Sequence, residues 1–195
     1  MAGLRIKSVA QTSEAYCDDI NLMTEDMNDF YVMGKVVDKF EMVSGALLSR
    51  NKKCKVLGFG NWHGKIIWPL NWIEGVKSVK VFDIFISNSY QEMLQLSLNH
   101  LYQKFSEVIY AWRHRRLESI YQRVEILRIF ALSRVFYVAA ILPLESVFVR
   151  KFEKLVGKFI WHFSGKLLRV SMEDIKNLRL CGGLQLPCLK KWQFH

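Results

Sequence analysis

Apolar positions follow two rhythms along this chain. Over the first 88 residues they come in short runs broken by turn residues, with one helical stretch between. Gly3 to Val9 reads as a strand. Ala15 to Met23 reads as two short apolar arms around an Asp18-Asp19 turn, because Asp tolerates the backbone angles of tight turns. Thr24 is placed to cap a helix whose first turn holds Glu25, Asp26 and Asp29. Met27, Phe30, Met33, Val36, Val37 and Phe40 recur at helical spacing behind it, and Ser44-Gly45 is the stop signal. Lys55 to Phe59, Lys65 to Trp68 and Val79 to Ile86 are strand-like.

From Asn88 onward the period is helical. Asn88 to Trp112 is amphipathic, with Met93, Leu94, Leu98, Leu101, Phe105, Val108 and Ile109 on or near one face. Glu118 to Leu142 is apolar nearly all round, which predicts a buried helix. Glu145 to Phe163 turns Val149, Phe152, Leu155, Val156, Phe159 and Ile160 to one side. Pro143 separates these two helices, and a short loop there predicts antiparallel neighbours. Ser171 can cap a short helix carrying Glu173 and Asp174, and Cys181-Gly182-Gly183-Leu184 is a turn. The pattern predicts an α+β chain: a hairpin, helix and strands over 1–60, connecting strands over 61–88, and a bundle of three or four helices over 89–195.

Composition adds a partner class. Residues 1–50 carry five Lys/Arg and eight Asp/Glu, and the remainder carries 23 and 10, for a total of +10. A basic remainder favours a polyanion, either nucleic acid or an anionic surface. Cys17, Cys54, Cys181 and Cys188 match no zinc spacing and read as ordinary reduced thiols. Met1 to Thr12 has no apolar leader core. The longest apolar run, Val135 to Leu144, falls short of the roughly 20 residues a bilayer requires. The expectation is a soluble intracellular protein with no membrane partner.

Two adjacent carboxylates repel each other unless a cation sits between them. Alone, Asp18 and Asp19 fit a solvated acidic turn better than a metal site. Their setting narrows the choice, since an aromatic stands two residues before Asp18 and a capped helix follows. Tyr16-Cys17-Asp18-Asp19 resembles the Tyr-x-Asp-Asp box of reverse transcriptases of non-LTR (LINE-type) retrotransposons, with Cys17 where Ala is usual. The resemblance continues in order. Ser44-Gly45-Ala46, Leu48, Ser49 and Lys52 resemble the segment after the palm helix, and Val79 to Ile84 the hairpin leading into the thumb. Trp112-Arg113, Arg116-Leu117-Glu118 and Gln122-Arg123-Val124 resemble the first thumb turn. Ser133, Tyr137, Leu142-Pro143-Leu144, Phe159-Ile160-Trp161 and Gly182-Gly183-Leu184-Gln185-Leu186-Pro187 complete the series.

The resemblance implies a palm remnant followed by a helical thumb. It implies Asp18 as a direct ligand of catalytic Mg²⁺, Asp19 as a weaker one, and Tyr16 as the floor under the primer end. Lys52 would lie near the incoming nucleotide's phosphates, with Lys53 and Lys55 adding positive potential. Arg113, Arg115, Arg116 and Arg123 would grip the backbone of an RNA template paired with a DNA primer. On an ideal helix Arg123 and Arg134 stand about 20° apart in azimuth and would line one side. Arginines at helix ends also cap carbonyls or stay solvated, and the three lysines also fit a plain solvated run. The tryptophans read as core. Ser49 replaces the family's Asn, and Asp83 its Gly, which sets a negative charge in a hairpin expected to hold the primer.

Two other readings stand beside the polymerase fragment: a nucleic-acid-binding remnant without catalysis, and a helical interaction module. In the family a third carboxylate and a nucleotide-selecting helix precede the Asp pair, whereas here fifteen residues precede Tyr16. Metals held by an incomplete carboxylate set lose most of their catalytic effect. The purified chain, given Mg²⁺, primer and RNA template, is therefore expected to yield no extension product; templated product on a gel would refute this.

Overall fold

The computed structural model describes residues 4–6, 9–11, 13–16, 19–24, 26–47, 54–64, 73–113, 115, 117, 119–161 and 171–189. For 4–6, 9–11, 14–16, 19, 27, 73, 172 and 179 it describes the backbone alone. The architecture is mixed α+β, with short strands first and helices after. The chain divides into two compact units, Met1–Met93 and Leu94–His195. The segment 61–88, expected as connecting strands, lies within the first of these units.

The strands of the first unit pair two by two. Gly3 to Val9 is not one strand. β1 (Leu4–Ile6) folds back on β2 (Val9–Gln11), pairing Ile6 with Val9. β3 (Ser13–Tyr16) and β4 (Asp19–Leu22) form the hairpin expected around the Asp pair, in the register Ser13↔Leu22 to Tyr16↔Asp19. The Asp18-Asp19 dipeptide is therefore not a tip by itself, because Asp19 already belongs to a strand.

α1 (Met27–Ser44) follows. Its cap is Asp26 rather than Thr24. Asp26 has the extended backbone of a cap residue, and its Oδ1 accepts from the Asp29 N–H at 2.9 Å. The helix ends at the foreseen place, where Gly45 takes a left-handed φ of 70° and donates to the Glu41 carbonyl. Phe30 and Met33 are buried as expected. Val36 and Phe40 are not: they are 57% and 58% exposed, and Val43 is 76% exposed. The apolar face of α1 continues past the place where packing ends, so periodicity alone overstated its burial.

β5 (Cys54–Val56) pairs in parallel with β6 (Ile73–Gly75), a strand that the sequence pattern did not reveal. The run Lys65 to Trp68 lies outside the described residues. Val79 to Ile86 is a hairpin, β7 (Ser78–Val81) and β8 (Ile84–Ser87), closing on Val81↔Ile84. Its two loop residues, Phe82 and Asp83, have φ of 48° and 64°. Positive φ at both positions is the signature of a type I′ turn, which matches the strand twist.

α2 (Tyr90–Arg113) buries Leu94, Leu98, Leu101, Phe105 and Ile109 in the second unit. The segment expected as one fully buried helix is α3 (Ile120–Ile126), a six-residue π-helical stretch (Leu127–Leu132) and α4 (Ser133–Ala139) in succession. It is not buried all round, since Tyr121, Ile129, Phe130 and Tyr137 are exposed. α5 (Ser146–Trp161) buries every residue foreseen for its inner face, and Phe148 besides. Arg123, near the start of the helical segment that runs from α3 through α4, donates to the carbonyl of Ile160, near the end of α5. That pairing is the one expected of antiparallel neighbours.

α6 (Met172–Lys176) carries the foreseen Ser171 cap as a full capping box. The Asp174 N–H donates to Ser171 Oγ, and the Ser171 N–H donates back to Asp174 Oδ2. Past it the Gly182-Gly183 turn is tight. A Cβ on Gly183 would collide with the Asn177 carbonyl oxygen.

Phe152 is the centre of the helical core. It is fully buried, meeting Phe105 edge to face at 4.9 Å and Tyr102 at 5.6 Å. Phe152→Ala should lower stability by about 3–5 kcal/mol, measured by urea unfolding followed through helical circular dichroism. A loss below about 1 kcal/mol would mean that the core is not organised around this ring.

Candidate nucleic-acid interface

The hairpin β3–β4 sets Tyr16 and Asp19 directly opposite each other. Cys17 and Asp18, which stand between them, lie outside the described residues. So do Lys52, Lys53, His114 and Arg116. Among the described residues no group of three or more His, Cys, Asp or Glu is placed to hold a metal ion. The donor set proposed from sequence is a carboxylate pair, and hard oxygen donors of this kind suit Mg²⁺.

Lys55 is exposed on β5, with Glu74 of β6 in register beside it. An opposite charge at that position offsets part of its field. Asp83 is offset as well, because Lys80 Nζ lies 3.1 Å from Asp83 Oδ1. Its backbone suits its place in the turn. The second position of a type I′ turn requires positive φ, where Gly is freest and Asp among the better-tolerated alternatives. The negative charge foreseen in this hairpin is thus paired with a lysine of the adjoining strand.

Arg113 ends α2 and is exposed. Arg115 is exposed too, its guanidinium 4.5 Å from the centre of the Trp112 ring. Trp112 in turn packs on Phe130 at 5.4 Å. A guanidinium lying over a ring keeps its in-plane N–H groups available for phosphate. Trp112 is half-buried and acts as support for that arginine, a role between core residue and open stacking platform.

Arg123 corrects the sequence reading. It is 4% exposed, and both ends of its fork serve carbonyls. Nη1 donates to Ile160 O at 2.6 Å and Nη2 to Leu117 O at 3.0 Å. Burial lowers its pKa from the ordinary value, yet an arginine remains charged. It answers the negative end of the α5 dipole and offers nothing to an outside ligand. Arg134 is exposed, so the two do not line one side. The azimuth of about 20° assumed a continuous α-helix, and the π stretch between them changes the phase.

Sequence reasoning missed a second basic surface. Arg150, Lys151, Lys154 and Lys158 of α5 are all exposed. They stand at steps of one, three and four residues, which places them within an arc of about 100°. Glu153, the only carboxylate in the α5 sequence, is taken up by Lys176 at 2.9 Å. The signal was in the sequence, on the polar side of a helix read only for its apolar side.

The described cysteines, Cys54, Cys181 and Cys188, are free thiols. Burial pushes the Cys54 pKa up, which keeps it protonated at neutral pH. Among the described residues no helix is long and apolar enough to cross a membrane. Neither protein-family models nor curated proteins give a match to the chain.

Arg123→Met removes both N–H donors to the Ile160 and Leu117 carbonyls and should cost on the order of 2–3 kcal/mol of stability. Arg115→Gln, which loses one exposed cation–π contact, should cost no more than about 1 kcal/mol. Urea melts of the two variants decide the matter; equal losses would contradict the buried role of Arg123.

Proposed function

We propose that the chain is the end of the palm and the thumb of a reverse transcriptase of the non-LTR retrotransposon type. In this reading it keeps the metal-binding Asp pair and a surface for the RNA–DNA primer–template. The observation that carries it is the β3–β4 hairpin. Tyr16-Cys17-Asp18-Asp19 straddles a two-residue connection that closes on Tyr16↔Asp19, and a capped helix follows. Support also comes from the second hairpin, β7–β8, where the departure from the family's Gly falls on the turn position that favours Gly.

Asp18 and Asp19 would hold Mg²⁺, which when bound lowers the pKa of an attacking hydroxyl and offsets charge on the leaving phosphate. Tyr16, opposite Asp19, is in register to support a primer end. Lys52 supplies positive charge near phosphate oxygens, with Lys53 and Lys55 behind it. Arg113 and Arg115 contact the nucleic-acid backbone, and Arg116 belongs with them by sequence. Arg123 is left out of this set. A second reading, nucleic-acid binding without catalysis, is favoured by the basic side of α5, which needs no metal.

Mn²⁺ serves as the probe for the carboxylate pair. Titration of the chain, followed by the loss of the free-ion electron paramagnetic resonance signal, should reveal one weak site. Asp18→Asn should abolish that site and Asp19→Asn weaken it. Identical titrations for the parent chain and both variants would refute the metal assignment.

A further inference from the structure

We infer that the solvent side of α5 is a phosphate-tracking surface for a nucleic-acid duplex, with Arg150, Lys151, Lys154 and Lys158 as its contacts. The inference rests on the nucleic-acid-binding part of the reading above and adds a site to it. Arg150 to Lys158 covers eight steps of 1.5 Å, about 12 Å of helix, so the four cations form a short basic stripe along one side. Lys151 is drawn toward the Phe148 ring, 4.7 Å from its centre, which limits its freedom while its side chain stays exposed. With Glu153 engaged by Lys176, no carboxylate of α5 interrupts the stripe.

The choice between nucleic acid and an anionic membrane follows from the opposite side of the helix. A helix that lies in a membrane interface inserts its apolar face. The apolar arc of α5 is not available for that. Phe148, Val149, Phe152, Leu155, Val156, Phe159 and Ile160 are all buried. On the basic side Val147 is the only exposed large apolar residue of the helix. What remains is a charged stripe without an insertion face. Such a stripe contacts a phosphate backbone without reading bases.

Binding is measured by fluorescence anisotropy with the full chain, on a DNA duplex and an RNA–DNA hybrid of the same sequence. Each phosphate contact contributes about −0.9 to the slope of log K against log salt. The quadruple variant R150Q/K151Q/K154Q/K158Q should therefore reduce the slope by about 3 to 4. That corresponds to a salt effect on the order of 10²-fold lost between about 50 and 200 mM. K151R/K154R/K158R should keep the slope, and K35Q/K39Q, at exposed positions of α1, should leave it unchanged. If the quadruple variant loses helical signal, K154Q and K158Q singly should each reduce the slope by about one.

An unchanged slope in the α5 variants, with the parent chain still binding, overturns the α5 site alone. An equal reduction in K35Q/K39Q overturns it too, since any lysine would then serve. A parent chain that binds neither duplex at low salt overturns both this site and the nucleic-acid reading. Binding to phosphatidylserine-containing vesicles without duplex binding does the same.

Discussion

The second unit depends on the burial of one side of α5. Phe152 meets Phe105 and Tyr102, and Phe148, Val149, Leu155, Val156, Phe159 and Ile160 extend the buried arc along the helix. Removing these apolar side chains from water favours docking the 16-residue helix by this side. It also sets the rotation of the helix. Once the arc faces inward, Arg150, Lys151, Lys154 and Lys158 have only the solvent to face. The charge pattern on the surface is thus a consequence of packing on the opposite side.

Arg123 shows the same physics working against a surface role. A helix C-terminus leaves carbonyls without intrahelical partners, and burying them unmet would be costly. A guanidinium can answer two acceptors at once from a single side chain, and Arg123 does so for Ile160 and Leu117. Arg115, only eight residues earlier, lies exposed over Trp112. Two arginines close in sequence therefore sit differently, one joining the turn before α3 to the end of α5, the other lying exposed over a ring.

The first unit is governed by turns more than by a core. Its strands pair two by two, and among its described residues the buried apolar side chains are Phe30, Met33 and Ile84. Ile20 and Leu22 of the Asp hairpin are exposed, as are Val36, Phe40 and Val43 of α1. The geometry that places Tyr16 opposite Asp19 comes from a hairpin register, and the tolerance of Asp83 comes from a turn type. Both are local constraints that operate without extensive packing around them.

Local chemistry determined most of the elements. The stop at Gly45, the Ser171–Asp174 capping box, the inner arc of α5 and the break at Pro143 were all legible, because each depends on residues within a few positions of one another. So was the hairpin around Asp18 and Asp19. Tertiary structure decided what lies beyond that range. It selected Asp26 over Thr24 as the α1 cap. It paired β5 with a strand seventeen positions beyond its end, and left the second half of the α1 face uncovered. It introduced a π stretch that separates Arg123 from Arg134, and it drew Arg123 inward to a carbonyl 37 residues away. Sequence period reveals which side of a helix is apolar. Whether that side finds a partner, and whether a given charge is drawn inside, depends on groups that only the folded chain brings together.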